Sequence, residues 1–596
     1  MLLDSGGALR MRLNLRLNQL PEGFVFLVWL LLGPLGPAAF GQAAERIDLR
    51  VVNATPGGFV EVDRGSADGL ELGDPVVLMP RSGRAIEGLV TVVEERTALV
   101  EIDSPNVELP AGTRGQAVVP ASRFAPVDPA PSPDPPSPKA AGSEAPAKVQ
   151  ESSEEAQPAD PLAELAQRWK NLDEAYQPGM PLLSDSGVAR PEQRPARFTG
   201  RVYLSLDHIL PSEDGRDDAF WRLGQDLSLE NPFGFGGELQ LDGELNYRRT
   251  DVPDQDDESL TRYRLDRFSY RIGGTRHRTT SFEIGRMLHR GVPEFGFLDG
   301  VETIWRTQSG HRYGGAIGLL PEPTPTLESG NDFGVSGFYE WNADASERLS
   351  AAIGYLHTWH NGASDRDLIV LRAQSLPTKG WRVFGVTLID LYTSGDEAKG
   401  AGPELTQANV TARREWNDYG LAFRWLHQEF PQIDRNEFLQ VDLAQLANDH
   451  YDRVALDLWM DASEHVRLSL ESGLWIDEEE DGGDARLAVE VFDSIGDGSR
   501  LEFSGSLSQG QFTDVLGARA AVGFTDPGGR WDLFYELAQQ DNIGFLSNND
   551  DIIQHRLRIS RDWLARRGWN LSVYADGISW GAEQALLAGI FAQKSF

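Results

Sequence analysis

The sequence contains no cysteine among its 596 residues, so disulfides, thiolate zinc sites and iron–sulfur clusters are excluded. It also lacks the apolar runs of about 20 residues that a bundle of transmembrane helices needs, and its mean hydropathy is −0.36. The net charge of −36 argues against nucleic acid as a partner, because binding to phosphates requires basic residues. Such acidity is typical of solubilising loops, of a lumen that attracts cations, or of both.

The N-terminus predicts an export signal over residues 1–43. Arg10, Arg12 and Arg16 supply a positive segment, and residues 24–32 form an apolar stretch too short to span a bilayer comfortably. Residues 39–41 end in the small side chains that a signal peptidase requires. The alternative is a single N-terminal anchor helix.

Residues 44–123 are rich in valine and glycine, and their short apolar runs are separated by turn residues, which predicts a small all-β domain of five or six strands. Glycines in residues 63–74 permit positive φ angles, and the aspartates there can cap the turn. This stretch resembles a turn of the SH3-like β domains of bacterial envelope proteins. The resemblance implies a docking or spacer module in the periplasm.

Residues 124–196 predict a linker. Proline is dense over residues 127–139, and such a segment favours an extended conformation and cannot form a core. Residues 160–176 have a weak helical period, which indicates either a short linker helix or a plug element before the next domain.

Residues 197–596 alternate between apolar and polar side chains with a period of two, in segments of about ten residues. In one segment Leu239, Leu241 and Leu245 share a face, while Glu238, Asp242 and Glu244 share the other. The pattern predicts an antiparallel barrel of about 20 strands, with a plausible range of about 16–22. The fold class is therefore all-β: a large transmembrane β-barrel preceded by a small all-β domain.

A soluble β-sandwich or propeller also alternates, but three features favour the membrane. The strands are long enough to cross a bilayer, and tryptophans lie near strand ends, where interfacial girdles form. The chain also stops at Phe596 at the end of an alternating strand. This ending resembles the assembly signal of bacterial outer-membrane barrels, which implies outer-membrane lipid and the barrel-assembly machinery as partners.

Residues 281–300 carry the clearest local signal: a strand ending in Gly-Arg, a glycine-rich crossing, and Leu-Asp-Gly opening the next strand. The segment resembles a hairpin of porin-like and alginate-export-like barrels. The resemblance implies that Arg286, Arg290 and Asp299 lie in or near the lumen and form a charge ladder or constriction. The alternative is a turn-stabilising ion pair at a barrel rim.

Arg267 and Arg271 are expected to face inward between the outward Phe268, Tyr270 and Ile272. Beside inward Glu238, Asp242 and Glu244 they would create a transverse field, as general porins use to orient polar solutes. The alternative is a set of lumenal salt bridges that only neutralise buried charge.

No motif predicts a catalytic residue, a cofactor site or a metal site, so an enzyme is not expected. The leading hypothesis is a porin-like outer-membrane channel for small hydrophilic solutes. The alternatives are a conduit for polysaccharide export, and a closed barrel anchor whose periplasmic domain, residues 44–123, binds peptidoglycan or another envelope component.

Overall fold

The computed structural model describes residues 44–120 and 192–596, apart from internal gaps that lie mostly in the connections between strands. The predicted export signal and the possible helix at residues 160–176 lie outside the described residues. Among the residues that are described, no helix is long and apolar enough to cross a membrane.

Six strands form the small N-terminal domain and close into an antiparallel barrel in the order β1-β2-β5-β4-β3-β6. Its interior is filled by aliphatic side chains such as Leu49, Val60, Leu78 and Val100, each at most 2% exposed. Every second residue of a strand contributes to this core, so the prediction of a small all-β domain is confirmed. The strands are β1 Ala44–Thr55, β2 Phe59–Val62, β3 Pro75–Met79, β4 Ile86–Val93, β5 Ala98–Ile102 and β6 Arg114–Pro120.

The turn between β2 and β3 has the predicted chemistry. Gly69 and Gly73 adopt φ angles of 93° and 87°, which L side chains rarely tolerate. The Asp68 carboxylate accepts a hydrogen bond from the backbone N–H of Gly65 at 3.3 Å, and Asp74 accepts one from Glu71 at 2.7 Å. The two aspartates therefore fix the turn through its own backbone.

A second, larger closed barrel contains 22 strands, at the upper end of the predicted range. Neighbours in sequence pair in an antiparallel manner, and β28 pairs with β7 to close the sheet. Closure pairs the backbone groups of both edges, as a hydrocarbon environment demands. The strands are β7 Arg197–Leu210, β8 Asp217–Glu230, β9 Glu238–Asp251, β10 Glu258–Thr275, β11 Arg278–Leu288, β12 Phe297–Arg306, β13 Arg312–Leu319, β14 Asp332–Asn342, β15 Leu349–His360, β16 Ala363–Ser375, β17 Trp381–Tyr392, β18 Gly402–Glu415, β19 Tyr419–Glu429, β20 His450–Ser463, β21 Val466–Asp477, β22 Asp481–Phe492, β23 Arg500–Gln509, β24 Thr513–Asp526, β25 Gly529–Asn542, β26 Ile552–Ala565, β27 Trp569–Trp580 and β28 Glu583–Ser595.

The outer face of the large barrel is apolar. Large side chains that alternate along the strands are exposed there, among them Phe268, Leu474 and Leu516 at 52%, 63% and 63%. Polar and charged side chains occupy the intervening positions and face inward. The predicted alternation is confirmed, and its polarity is that of a barrel solvated by lipid outside and by water inside.

Both ends of the barrel chain, Arg197 and Ser595, lie at the same rim, here called the terminal end. Antiparallel strands place the connection 464–465 at this end and the long connection 430–449 at the opposite end. The acidic residues 477–484 are mostly in strands, because β21 continues to Asp477 and β22 begins at Asp481. Most of residues 435–450 lie outside the described residues.

Candidate functional site in the charged lumen

The small domain contacts the lumenal face of the large barrel. The Arg50 guanidinium donates to the carboxylates of Asp226 at 3.1 Å and Glu238 at 3.2 Å. Asp226 is three residues beyond the exposed Leu223, so the alternation of β8 turns it into the lumen. Arg64 pairs with Glu230 at 2.6 Å. Burial alone would lower the pKa of Arg50, but the charges of Asp226 and Glu238 raise it.

Further contacts lie around the same end of the lumen. The Asp48 carboxylate accepts from Arg271 and from Arg290, each at 3.2 Å. Gln593 on β28 donates to the backbone carbonyl of Val52 at 3.3 Å. These partners lie near the terminal end of the wall, on β8 to β10 and on β28, or in the connection after β11. The small domain therefore sits in the terminal mouth of the barrel.

A second element, the inward segment 289–296 between β11 and β12, narrows the lumen. β11 ends at Leu288, well before the far end of β10, so the connection starts part-way up the wall. The Glu302 carboxylate accepts hydrogen bonds from the backbone N–H groups of Arg290 and Gly291. Phe295 is 6% exposed in a buried apolar cluster that includes Leu356 on β15. The segment is thus held by hydrogen bonds and by packing.

The small domain, the inward segment and the wall enclose a cavity of about 2200 Å³. Eighteen arginines and fourteen carboxylates line it, and no lysine is among these described lining residues. The lining is therefore net positive in a chain whose overall charge is −36. The lining of this cavity thus has the opposite charge balance to the whole chain, and of the two interpretations of the overall acidity, solubilising loops and a lumen that attracts cations, this lining agrees with the first.

The structure brings six of the eight predicted lumen residues together in the lining of this cavity. The two that do not line it are Arg286 and Asp299, which pair with each other through two contacts of 2.6 Å. Arg286 is directly opposite Phe268 in the β10–β11 register, so it shares the outward face. The six lining residues are Glu238, Asp242, Glu244, Arg267, Arg271 and Arg290.

The inward charges are extensively paired. Arg267 and Glu283 are 3% and 1% exposed and lie 2.7 Å apart, and the same carboxylate accepts from Arg290 at 2.8 Å. Arg271 pairs with Glu238 at 3.0 Å. Glu283 was not among the lumen residues expected from the sequence. It lies between the outward Phe282 and Ile284, so the period of two could have identified it as facing inward.

Asp48 and Arg50 contact the lumen, and neither was expected to do so from the sequence. Both alternate along β1 with buried Leu49 and Val51, so their outward orientation could be inferred from the period of two. Their partners are 176 to 242 residues away in the chain, and no local pattern indicates them.

No protein-family model matches the chain, and no curated protein matches its sequence. Among solved structures, the chain is similar to the translocation pore of the P pilus usher PapC, with a TM-score of 0.38 and 9% identity over 67% of this chain and 99% of that one. It is also similar to OccK7 (OpdD) of Pseudomonas aeruginosa, with a TM-score of 0.31 and 9% identity over 67% and 99% of the two chains. OccAB4 of Acinetobacter baumannii gives a TM-score of 0.33 and 9% identity over 68% and 100%.

The architecture itself defines the class. A closed sheet of 22 antiparallel strands with an apolar exterior and a charged, water-accessible interior is the form in which strands cross a membrane. The chain has the fold of a membrane-spanning, porin-like β-barrel.

Proposed function

We propose that the protein is an outer-membrane channel for small hydrophilic solutes, and that the small domain closes its terminal mouth, on the periplasmic side. The observation that carries the proposal is the charged cavity bounded by the small domain on one side and by the barrel wall on the other. A barrel of 22 strands is too wide for its own side chains to fill, so its interior holds water or a folded element. Here it holds both.

The charge of the lumen favours anionic solutes. Eighteen lining arginines against fourteen carboxylates leave an excess of positive charge in a confined space, where low-dielectric walls focus the field. This polarity is opposite to that of a lumen that attracts cations, one of the two interpretations that the overall composition left open. The charged cavity also favours a channel over a closed anchor, since an anchor gains nothing from burying so many ionisable groups.

The contacts of the small domain favour a mobile closure over a permanent one. They consist of ion pairs and hydrogen bonds, such as Arg50 with Asp226 and Asp48 with Arg271, and partly exposed pairs of this kind are individually weak. An envelope partner for residues 44–123 stays a prediction, and it would have to bind a face other than the one that carries Asp48 and Arg50.

The test is a reversible cross-link between the small domain and the barrel wall. Because the chain has no cysteine, Arg64→Cys with Glu230→Cys introduces a unique pair across the contact. A short bismaleimide with a reducible disulfide in its spacer would join the two thiols in the refolded protein. We expect the bridged protein to be silent in a planar bilayer, and addition of a reductant to restore stepwise openings that prefer anions.

The matched control is Arg64→Cys alone, treated with the same reagent. Equal conductance of the bridged and reduced double variant would overturn the proposed closure. Silence in both states, from a folded and heat-modifiable barrel, would support the closed anchor instead. Openings that prefer cations would contradict the proposed solute class.

A further inference from the structure

The contact between the small domain and the wall contains an arginine that its neighbours do not neutralise. Arg114 opens β6 and lies directly opposite Arg50 in the β1–β6 register, so the two side chains share a face. Arg50 is paired with Asp226 and Glu238. Within the part of the chain that the structure describes, the Arg114 side chain makes no hydrogen bond or ion pair, and it lines the cavity. Like charges placed directly opposite each other destabilise a sheet.

A second unused donor faces the same cavity from the wall. Arg267 is 3% exposed; its Nη2 donates to Glu283 at 2.7 Å and its Nε to Ser269 at 3.2 Å. Its Nη1 is buried and, among the described residues, has no hydrogen-bond partner. A buried guanidinium nitrogen without an acceptor is costly, and native proteins rarely leave one so.

The local charge balance explains why neither donor is satisfied. The carboxylates at this contact are each engaged by another arginine: Asp48 by Arg271 and Arg290, Asp226 and Glu238 by Arg50, and Glu283 by Arg267 and Arg290. The Arg114 side chain is exposed to the cavity, yet its enclosure between the small domain and the wall, followed by the positive charges of Arg267, Arg50 and Arg290, lowers its pKa. Arg114 is therefore the arginine of this contact with which no carboxylate of the described residues pairs.

We infer that Arg114 and Arg267 form a binding site for a small oxyanion between the small domain and the wall. A carboxylate or phosphate group presents two or more acceptor oxygens, which match the fork of the Arg114 guanidinium and the free Nη1 of Arg267. A bound oxyanion would separate the positive charges of Arg50 and Arg114. It would also join the two elements that form the site. This inference rests on the placement of the small domain and not on conduction.

The site is tested by isothermal titration calorimetry on the refolded full chain in detergent micelles, with inorganic phosphate, succinate and chloride titrated separately. We expect saturable binding of phosphate or succinate with one ion per chain, and the stronger of the two identifies the source chemistry. Chloride has no planar pair of oxygens and is expected to bind at least tenfold more weakly. Equal binding of all three ions would indicate general charge attraction and would overturn the site.

Variants assign the binding to Arg114. Arg114→Gln is expected to weaken the binding of the preferred oxyanion by about tenfold or more, because charged hydrogen bonds are lost. Arg114→Lys keeps the positive charge without the fork of the guanidinium, so its affinity for the oxyanion should lie between those of the parent and of Arg114→Gln. Since the Arg114 side chain makes no hydrogen bond or ion pair in the described structure, both variants should refold as the parent does.

The matched control is Arg558→Gln, which removes a different arginine of the cavity, one that lies over the ring of Tyr574. Loss of binding in Arg114→Gln with retention in Arg558→Gln supports the site. Equal loss in both variants, or unchanged binding in Arg114→Gln, would refute it.

Discussion

Asp48 is the residue through which closure by the small domain can be weakened most selectively. Its carboxylate joins the small domain to two arginines of the barrel, Arg271 and Arg290, at 3.2 Å each. The side chain of Asp48 is 43% exposed and those of the arginines are 21% and 22%, so solvent screens both pairs. Each pair is then expected to contribute about 0.5–1 kcal/mol.

Asp48→Asn removes both pairs and leaves the contacts of Arg50 and Arg64 in place. A loss of about 1–2 kcal/mol shifts the ratio of seated to released small domain by roughly 5–30-fold. The open probability of single channels in a planar bilayer should rise by this factor at fixed salt. The parent channel should also open more often at higher ionic strength, since salt screens the ion pairs between the small domain and the wall.

The matched control is Glu94→Gln, which removes the same charge from the small domain at an exposed residue. The side-chain hydrogen bond that the structure describes for Glu94 goes to Thr97 of the same domain. The open probability of the Glu94→Gln variant should equal that of the parent. Equal open probabilities for Asp48→Asn and Glu94→Gln would refute the view that these ion pairs hold the mouth closed.

Three further outcomes are expected. Glu283→Gln leaves the buried Arg267 without its counter-charge and should lower the free energy of unfolding by roughly 3–5 kcal/mol, measured in urea titrations followed by tryptophan fluorescence. The control Glu471→Gln, at an exposed position, should change the free energy of unfolding by less than about 0.5 kcal/mol. Phe295→Ala empties the core beneath the inward segment and should cost roughly 3–5 kcal/mol while raising the single-channel conductance; an unchanged conductance would show that the segment does not limit the pore. Deletion of Phe596, whose N–H donates to Gly200 at 2.9 Å across the β28–β7 closure, should slow the appearance of the heat-modifiable folded form, and an unaltered rate would contradict its role in assembly.

The large barrel could be predicted because the signal for it is local. Alternation in a segment such as residues 238–247 reports directly that one face of a strand meets lipid and the other does not. The number of strands could be predicted only as a range, because loops and strands in acidic stretches have similar compositions. The negative charges of residues 477–484 are typical of a loop, yet lumen-facing positions accept such residues and most of the stretch is strand.

The lumen residues could be predicted only as far as alternation reaches. It placed Arg267, Arg271 and Glu238 inward. Arg286 has the same parity as the outward Phe282 and Ile284, and the β10–β11 register places it opposite the outward Phe268, so alternation alone directs it outward. The expectation that Arg286 lies in the lumen rested on the resemblance to a porin-like hairpin, and the structure does not place it in the lining of the cavity.

The position of the small domain could not be predicted, because it depends on complementary charges between distant parts of the chain. Asp48, Arg50 and Arg64 lie in a domain whose composition is that of any small β barrel, and their partners are spread over β8, β9, β10 and the inward segment. Pairing satisfies most of these charges, but it leaves Arg114 without a carboxylate partner among the described residues. The unpaired Arg114 connects closure with the net positive lining of the cavity. An oxyanion arriving through the barrel would reach the small domain at the place where its contact with the wall lacks a negative charge.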